Sequence, residues 1–505
     1  MDKFYITTPL YYVNDKLHLG HAYCTVSADV IARFYRMLGR KVFFLTGTDE
    51  HGQKVAQIAE HKHLNPQQWA DRIVEEDKRL WKILNISYNE FIRTTEKRHT
   101  DVVQFVFEYL YKKNDIYKSH YEGWYCTSCE TFYLDNQIQQ GVCPQCSSTV
   151  EKVKEESYFF KLSSYQDKLL YYFDSHPEFL QPDFRRQEII NFVKQGLKDI
   201  SISRTTVKWA IPVPFDSSHT IYVWFDALLN YISAIGYLED KDKFNTLWPA
   251  DLHLVGKEIF RFHTVIWPAM LIALDLPLPK KVFAHGWWTV EGEKMSKSKG
   301  NVIDPIKICE DWGVDVFRYF ILKEVPLGLD GDFSQQNLKN RYNAELANDL
   351  GNLLSRALTM VEKYVNGYIP KANSLKKDDI EIKEFSFKLE KQIPLLFDKL
   401  EITNVLNLIW EFIYLVNKYI EKNSPWNLAK NNTTRLFTVL YNTLEAIRII
   451  GIYLCPFMPI TSQEILKQLG LNEDIDSINS IHFTWGQLKS NTKIRKGPSL
   501  FPRKR

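Results

Sequence analysis

The first fifty residues constrain the fold more than any other stretch of this sequence. An apolar run at residues 4–8 predicts a buried strand, apolar residues at helical spacing predict a helix over residues 22–38, and residues 42–46 form a second apolar run. A strand, a helix and a strand at this spacing predict a βαβ unit and a parallel sheet. Because polar residues at the carboxyl ends of such strands line a ligand crevice, residues 47–52 are a candidate site.

The β/α pattern stops near residue 114, resumes near residue 221 and changes to amphipathic helices beyond residue 304. We therefore predict an α/β fold: a Rossmann-type parallel-sheet domain, split by an insertion and followed by a helical bundle. Residues 178–200 of the insertion are predicted to be helical. The predicted boundaries are 1–114 and 221–288 for the split domain, 115–220 for the insertion, 289–345 for a connecting region and 346–505 for the bundle.

Seven cysteines include two CxxC pairs, Cys126 with Cys129 and Cys143 with Cys146. Two such knuckles supply four thiolates for a tetrahedral zinc ion and leave no position for water, which predicts one structural zinc. A redox dithiol is the alternative. An odd cysteine count, no signal segment and no apolar run near the roughly 18 residues of a membrane span predict a cytoplasmic protein without membrane contact.

His18 and His21 lie at the start of the predicted helix with Gly20 between them. Amide donors and the helix dipole favour phosphate there, and glycine lets a flat nucleotide approach the backbone. Helix capping or a metal site would explain the same residues, so the histidines alone leave the choice open.

A basic loop at residues 294–298, Lys-Met-Ser-Lys-Ser, is bounded by glycines and contains nothing that builds a core. Lys294 and Lys297 suit a triphosphate leaving group, although a solvated basic loop is the ordinary explanation of such a segment. The combination of this loop with the histidines makes the phosphate interpretation the better one.

His18-Leu-Gly-His21 and the lysine loop, at the two ends of a split β/α fold, resemble the two signature motifs of class I aminoacyl-tRNA synthetases. Residues 7–14, 46–52, 222–231 and 256–263, the four cysteines and the Ser-Pro-Trp at residues 424–426 make the chain similar to the methionyl-tRNA synthetase family over nearly its full length.

The resemblance implies that methionine and ATP form methionyl-adenylate and that the methionyl group then passes to tRNA(Met). His18, Gly20, His21 and Lys297 would bind ATP, and the histidines with Lys294 and Lys297 would act in catalysis, with Mg²⁺ sharing the phosphate charge. The lysine loop is expected to be open without ATP.

The family's methionine positions include Asp49 for the ammonium group and Tyr12 and His263 as donors to the sulfur. Core packing is the alternative for each aromatic residue taken singly. The full set of implied methionine-binding residues is Leu10, Tyr12, Asp49, Trp224, Ala227, Tyr231, Ile259 and His263.

The family reads the anticodon with its helical bundle, which implies Asn352, Arg356 and Trp426 as contacts; a buried tryptophan and an ordinary surface pair are the alternatives. The net charge is only 64 − 61 = +3, so tRNA binding must rely on local patches. Four paired cysteines and the end of the chain after the bundle suggest a bacterial-type monomer with one zinc.

Three other functions stay open at this stage. Another class I synthetase, such as that for cysteine or leucine, shares the two motifs. A non-catalytic zinc-containing tRNA-binding protein would keep the fold, and a small-molecule nucleotidylyltransferase would share the histidine motif.

Overall fold

The structure is a computed structural model that describes residues 2–129, 131–133, 137–138, 140–144, 146–295, 300–373 and 376–504, without the side chains of residues 121, 122, 131, 132 and 294. The chain forms two compact units. We call residues 2–17 with 42–285 the sheet unit, and residues 18–41 with 286–505 the helical unit. The predicted domain boundaries differ from this division and stay a prediction.

The strands are β1 Lys3–Tyr12, β2 Lys41–Asp49, β3 Glu90–Arg93, β4 Ile116–Cys126, β5 Thr131–Tyr133, β6 Glu151–Phe160, β7 Leu180–Gln181, β8 Ile200–Ser201, β9 Ser203–Arg204, β10 Pro212–Val213, β11 Asp216–Ile221, β12 Leu252–Gly256, β13 Val282–His285, β14 Trp288–Val290, β15 Glu293–Lys294 and β16 Gly331–Phe333.

The α-helices are α1 Leu19–Met37, α2 Gln53–His61, α3 Pro66–Ile83, α4 Lys97–Lys112, α5 Gln166–Ser175, α6 Asp183–Lys194, α7 Val223–Leu228, α8 Asn230–Ser233, α9 Lys241–Leu247, α10 Trp267–Ala273, α11 Pro305–Trp312, α12 Val314–Lys323, α13 Gln335–Arg341, α14 Asn352–Val365, α15 Lys377–Asp398, α16 Ile402–Asn423, α17 Pro425–Asn431, α18 Thr433–Leu454 and α19 Pro459–Gln468. Short 3₁₀ segments are Leu162–Tyr165, Lys257–Ile259, Ile475–Ser477 and Ser480–Phe483, and π-helical segments are Phe262–Ile266 and Tyr342–Gly351.

The central sheet of the sheet unit has the order β3-β2-β1-β12-β13-β7. The pairs β1–β12, β12–β13, β13–β7 and β2–β3 are parallel. The strand order reverses between β1 and β12, and in open α/β sheets such a switch point opens a crevice beyond the strand ends. The parallel sheet confirms the fold class, and its switch point lies between β1 and β12.

The insertion returns one strand to this sheet, which the sequence does not predict. Leu180–Gln181 forms β7 against β13, and the helix expected over residues 178–200 is confined to α6. Pro182 explains the difference, because the residue before a proline is driven towards extended backbone, so a helix does not run through Gln181.

The insertion also builds an antiparallel sheet of order β5-β4-β6-β8. β4 and β6 pair from Ile116 with Phe160 to Tyr125 with Glu151. The first cysteine knuckle begins at Cys126, the last residue of β4, so a long two-stranded ribbon carries the knuckles.

In the helical unit, a buried ion pair joins α1 to α12. Arg318 Nη2 lies 2.7 Å from Asp29 Oδ2, and both side chains are fully buried. Arg318 also donates to the carbonyl groups of Pro456 and Phe457. Since every charge in this cluster has a partner, it fixes α1 against the bundle rather than forming a reactive site.

Helix α18 is the one helix among the described residues that is long and apolar enough to span a membrane. Of its most apolar window, 89% is buried inside the protein. It also carries the buried ion pair Glu445–Arg448. These are the properties of a central bundle helix, and the helical bundle predicted from the sequence is confirmed.

Candidate active site

The two histidines of the first motif close the N-terminus of α1. The amide of Gly20 donates to His18 Nδ1, and the amide of His18 donates to His21 Nδ1, each at 3.1 Å. The ring centroids are 3.9 Å apart. Because each Nδ1 accepts a hydrogen bond, the neutral rings carry their protons on Nε2, which makes each Nε2–H a donor that suits a phosphate oxygen.

Gly20 leaves room for the His18 ring. A Cβ atom at residue 20 would lie 3.1 Å from His18 Cε1 and 3.3 Å from His18 Nδ1, closer than ordinary contact. A side chain at residue 20 would therefore require the His18 ring to shift by a few tenths of an ångström. The two histidines therefore cap the helix, which was one of the alternatives that the sequence left open. The same hydrogen bonds make each ring a donor through its Nε2–H.

The chain around the lysine loop lies beside this helix end. The Leu19 amide donates to the Ile303 carbonyl at 3.2 Å, and the Tyr23 ring meets Trp288 edge-on at 5.5 Å. β15, which ends at Lys294, pairs antiparallel with β14 from Trp288. The two motifs are therefore neighbours within one unit, although Lys297 and the Lys294 side chain lie outside what the structure describes.

The predicted methionine residues of the sheet unit gather at the switch point. Leu10 and Tyr12 share one face at the end of β1, and Asp49 ends β2. Ile259 and His263 follow β12. The Val13 amide donates to the Asp49 carbonyl at 3.1 Å, which joins the first two strand ends.

A buried polar pair lies within this set. The Tyr231 hydroxyl lies 2.7 Å from His263 Nε2, and His263 Nδ1 lies 3.0 Å from the Ile259 carbonyl. Since a carbonyl only accepts, Nδ1 carries the proton and Nε2 accepts from the tyrosine. Burial lowers the pKa of His263 to about 4, so the ring is neutral at pH 7.

Aromatic rings form a wall beside this pair. Trp224 stacks on Phe262 with centroids 3.7 Å apart and planes 9° apart, and its edge meets the His263 ring at 6.5 Å. His263 and Phe262 belong to a π-helical turn, an irregularity frequent at functional sites. Trp224 stays partly exposed, whereas Ala227, Tyr231 and His263 are buried. The surface is thus apolar and polarizable, which suits a thioether.

The residues after Asp49 form polar clamps that sequence reasoning missed. Glu50 is fully buried and accepts from Arg93 Nε at 2.7 Å and Nη2 at 2.9 Å, and from Thr95. His51 Nδ1 lies 2.7 Å from Asp226 Oδ2. The sequence signal was the run of three ionisable residues at the end of an apolar strand. Charged residues at such a buried position need partners, which marks them as candidates for a site.

The four paired cysteines fit a metal ion. Their sulfur atoms all lie within 4.8 Å of one another, with Cys126 to Cys146 at 3.5 Å and Cys129 to Cys143 at 3.9 Å. A tetrahedral zinc site with Zn–S bonds of about 2.3 Å spaces its sulfurs by about 3.8 Å. Four sulfur atoms that converge on one point favour a metal ion over the redox-dithiol alternative, which needs only one pair.

The predicted anticodon residues lie on neighbouring helices. Asn352 is exposed at the start of α14, and α17, which carries Trp426, packs against that helix. Trp426 is 38% exposed, so the alternative of a buried tryptophan does not hold. Arg356 Nη2 donates to Glu421 Oε1 at 2.5 Å.

Comparisons with known proteins cover the whole chain. The family model described as "tRNA synthetases class I (M)" matches residues 4–154 and 147–358, and "Anticodon-binding domain of tRNA ligase" matches residues 381–497. The methionine–tRNA ligase of Caldanaerobacter subterraneus subsp. tengcongensis is 55% identical over 99% of this chain and 78% of its own length. That of Thermotoga maritima is 49% identical over 99% of this chain and 80% of its own length.

Among solved structures, Mycobacterium tuberculosis methionyl-tRNA synthetase in complex with methionyl-adenylate aligns with a TM-score of 0.96 at 39% identity, covering 100% of both chains. These matches select the methionine family over the cysteine and leucine synthetases that the sequence left open. The chain belongs to the methionyl-tRNA synthetase family of class I tRNA synthetases.

Proposed function

We propose that the chain is a methionine–tRNA ligase that binds methionine at the carboxyl ends of β1, β2 and β12 and ATP phosphates at the N-terminus of α1. The observation that carries the proposal is the buried Tyr231–His263 pair, set beside the Trp224 wall at the switch point of the sheet. Identity of 55% to a methionine–tRNA ligase over nearly the whole chain supports the same activity.

The first step needs no protein nucleophile. A methionine carboxylate oxygen attacks the α-phosphorus of ATP, and pyrophosphate leaves from the opposite side. The Nε2–H groups of His18 and His21 donate to phosphate oxygens, and Lys294 and Lys297 neutralise the leaving pyrophosphate. Mg²⁺ bound with ATP supplies further charge neutralisation. In the second step, a ribose hydroxyl of the terminal adenosine of tRNA attacks the carbonyl carbon, and AMP leaves.

Methionine is recognised at both ends. Asp49 pairs with the ammonium group, and the thioether packs on Trp224, Leu10, Ala227 and Ile259. Tyr12 keeps the donor role that the sequence suggested for it. His263 acts differently from that expectation, because its one N–H faces the Ile259 carbonyl; it orients the Tyr231 hydroxyl instead of donating to sulfur.

Trp426, Asn352 and Arg356 bind the anticodon. The exposed Trp426 ring stacks on an unpaired base, and such a contact is worth about 1–3 kcal/mol. Arg356 reaches a base edge only after leaving Glu421, so the ion pair holds the guanidinium near its place until RNA binds. This 2.5 Å contact is largely exposed on the glutamate side, so breaking it when RNA binds costs little free energy.

One zinc ion at Cys126, Cys129, Cys143 and Cys146 stabilises the end of the β4–β6 ribbon. It supplies no open coordination position, so its role is structural. A monomer in the cytoplasm completes the proposal, because four cysteines paired for a metal ion are typical of a reducing compartment.

Amino-acid-dependent ATP–pyrophosphate exchange tests the proposal directly. Each of the twenty amino acids is assayed with and without tRNA. Exchange that requires methionine, and that occurs without tRNA, is the expected result. Faster exchange with any other amino acid, or none with methionine, would overturn the assignment.

A further inference from the structure

A fully buried carboxylate stands between the two halves of the methionine site. Asp226 is 0% exposed and lies on α7 between Trp224 and Ala227. Its Oδ2 accepts from His51 Nδ1 and its Oδ1 accepts from His99 Nε2, both at 2.7 Å. One carboxylate thus ties three separate chain segments together at a single point.

The histidine on one side reaches the segment that presents Asp49. His51 is two residues beyond Asp49, and its imidazole is 6% exposed, so the bond to Asp226 is shielded from water. Glu50, between them, is held on the other side by Arg93 and Thr95. The segment therefore has buried polar anchors in both directions, and the position of Asp49 follows from them.

The histidine on the other side anchors α7 to the body of the unit. His99 is fully buried near the start of α4, and its Nδ1 lies 2.8 Å from the Ser233 hydroxyl on α8. On the same helical pair, Asn230 Nδ2 donates to the Ala227 carbonyl at 2.6 Å. These bonds fix α7, and with it the Trp224 wall, to α4 and α8.

The charge state fits this role. Burial alone would raise the pKa of the Asp226 carboxyl, but the two imidazoles outweigh burial and hold the pKa below its ordinary value. The carboxylate is then ionised at neutral pH and accepts from both rings at once, which a neutral carboxamide cannot do.

We propose that Asp226 is a positioning residue of the methionine site, which sets the distance between Asp49 at the ammonium end and Trp224 with Ala227 at the side-chain end. The inference rests on the proposed binding of methionine here. If the carboxylate only stabilised the fold, its loss would not change the relative affinities for different ligands. A carboxylate that sets this distance controls affinity for methionine and the preference for methionine over its shorter analogue homocysteine.

The test compares Asp226→Asn with Glu445→Gln. Both replace a fully buried carboxylate that accepts several hydrogen bonds, but Glu445 lies in α18 of the helical unit, where it accepts from Arg448 and the Leu488 amide. Methionine-dependent exchange gives kcat, the KM for methionine and the KM for ATP. Calorimetry gives the Kd for methionine without ATP, and thermal unfolding gives the Tm.

We expect Asp226→Asn to raise the KM and Kd for methionine by roughly tenfold, the usual effect of losing one buried hydrogen bond to a charged group. The KM for ATP stays within about twofold, and the ratio of kcat/KM for methionine to that for homocysteine falls. Glu445→Gln lowers the Tm and leaves both methionine readings unchanged.

A lower Tm for Asp226→Asn with an unchanged methionine KM and homocysteine ratio would overturn the proposal. If that variant does not fold, His99→Leu removes one of the two hydrogen bonds to the carboxylate, because leucine has no donor. It should move the same readings in the same direction, and unchanged readings would overturn the proposal as well. Wild-type protein without methionine-dependent exchange would instead refute the proposed function, so the two failures are distinguishable.

Discussion

Acid should destabilise the sheet unit through one neutral histidine, His263. The ring is 2% exposed, and burial lowers its pKa from 6.5 to about 4. Below pH 6.5 the unfolded chain takes up a proton at this residue, whereas the folded chain does not until about pH 4. Unfolding therefore binds a proton in this window, and the free energy of unfolding falls as the pH falls.

The size of the effect follows from the two pKa values. The difference of 2.5 units (6.5 − 4) corresponds to about 3 kcal/mol once the pH is below both values. At pH 5, where the folded protein is still mostly neutral at this residue, about 2 kcal/mol of that is lost. A loss of this size is a large fraction of the 5–15 kcal/mol that stabilises an ordinary domain.

The measurement compares wild type with His263→Gln, which does not titrate. Urea unfolding is followed by tryptophan fluorescence from about pH 7 to about pH 5, since Trp224 and Trp267 report on the same region. His253 is replaced by glutamine in both proteins, because burial and the neighbouring His263 both lower its pKa and its titration would otherwise enter the difference. The gap between the two unfolding free energies should change by about 2 kcal/mol over this range. Parallel pH curves would refute the neutral, buried His263 and the Tyr231 hydrogen bond derived from it.

Three further outcomes are expected. Cys143→Ser should reduce bound zinc from one per chain and lower the Tm, whereas Cys309→Ser, at a cysteine outside the cluster, should keep the zinc; equal zinc content in both would refute the site. Lys297→Ala should slow methionine-dependent exchange by roughly 10²–10³-fold, the scale of removing one group that stabilises transition-state charge, while tRNA binding stays intact. Trp426→Ala should weaken tRNA binding by at least about fivefold and leave exchange unchanged, since stacking on one base is worth about 1–3 kcal/mol. Tyr171→Ala, which removes an aromatic ring that is 77% exposed in the other unit, is the matched control, and equal loss in both variants would contradict the stacking role.

The parts of the fold that follow from periodicity were predictable from sequence. Strand β1, helix α1 and strand β2 occupy the positions that apolar spacing indicates, because each buries a face whose repeat matches its geometry. The start of α1 is Leu19 rather than residue 22. His18 caps that end with an imidazole, and a histidine cap gives no signal of the kind that serine or aspartate gives.

The candidate site was predictable in its residue types and not in its hydrogen-bond directions. A sequence shows that Tyr231 and His263 are both present, but the roles of donor and acceptor depend on the Ile259 carbonyl, one turn before His263. Asp226 was hidden for a similar reason. Its partners His51 and His99 are 175 and 127 residues away in the chain, and no local pattern marks a carboxylate that only long-range contacts satisfy.

The geometry of the pocket also bears on how methionine is separated from homocysteine. The two ligands differ by one methyl group, and a hydrophobic pocket discriminates one such group by only about 1–3 kcal/mol. A pocket can reach the upper part of that range only if its walls do not collapse onto the smaller ligand, because a wall that follows the ligand recovers the lost contacts. In the proposed methionine site, the Trp224–Phe262 stack, the Tyr231–His263 bond and the Asp226 hydrogen bonds would each hold a different wall. We therefore expect rigid polar anchoring behind an apolar surface to be the physical means by which the proposed site selects a side chain that offers almost nothing to hydrogen-bond.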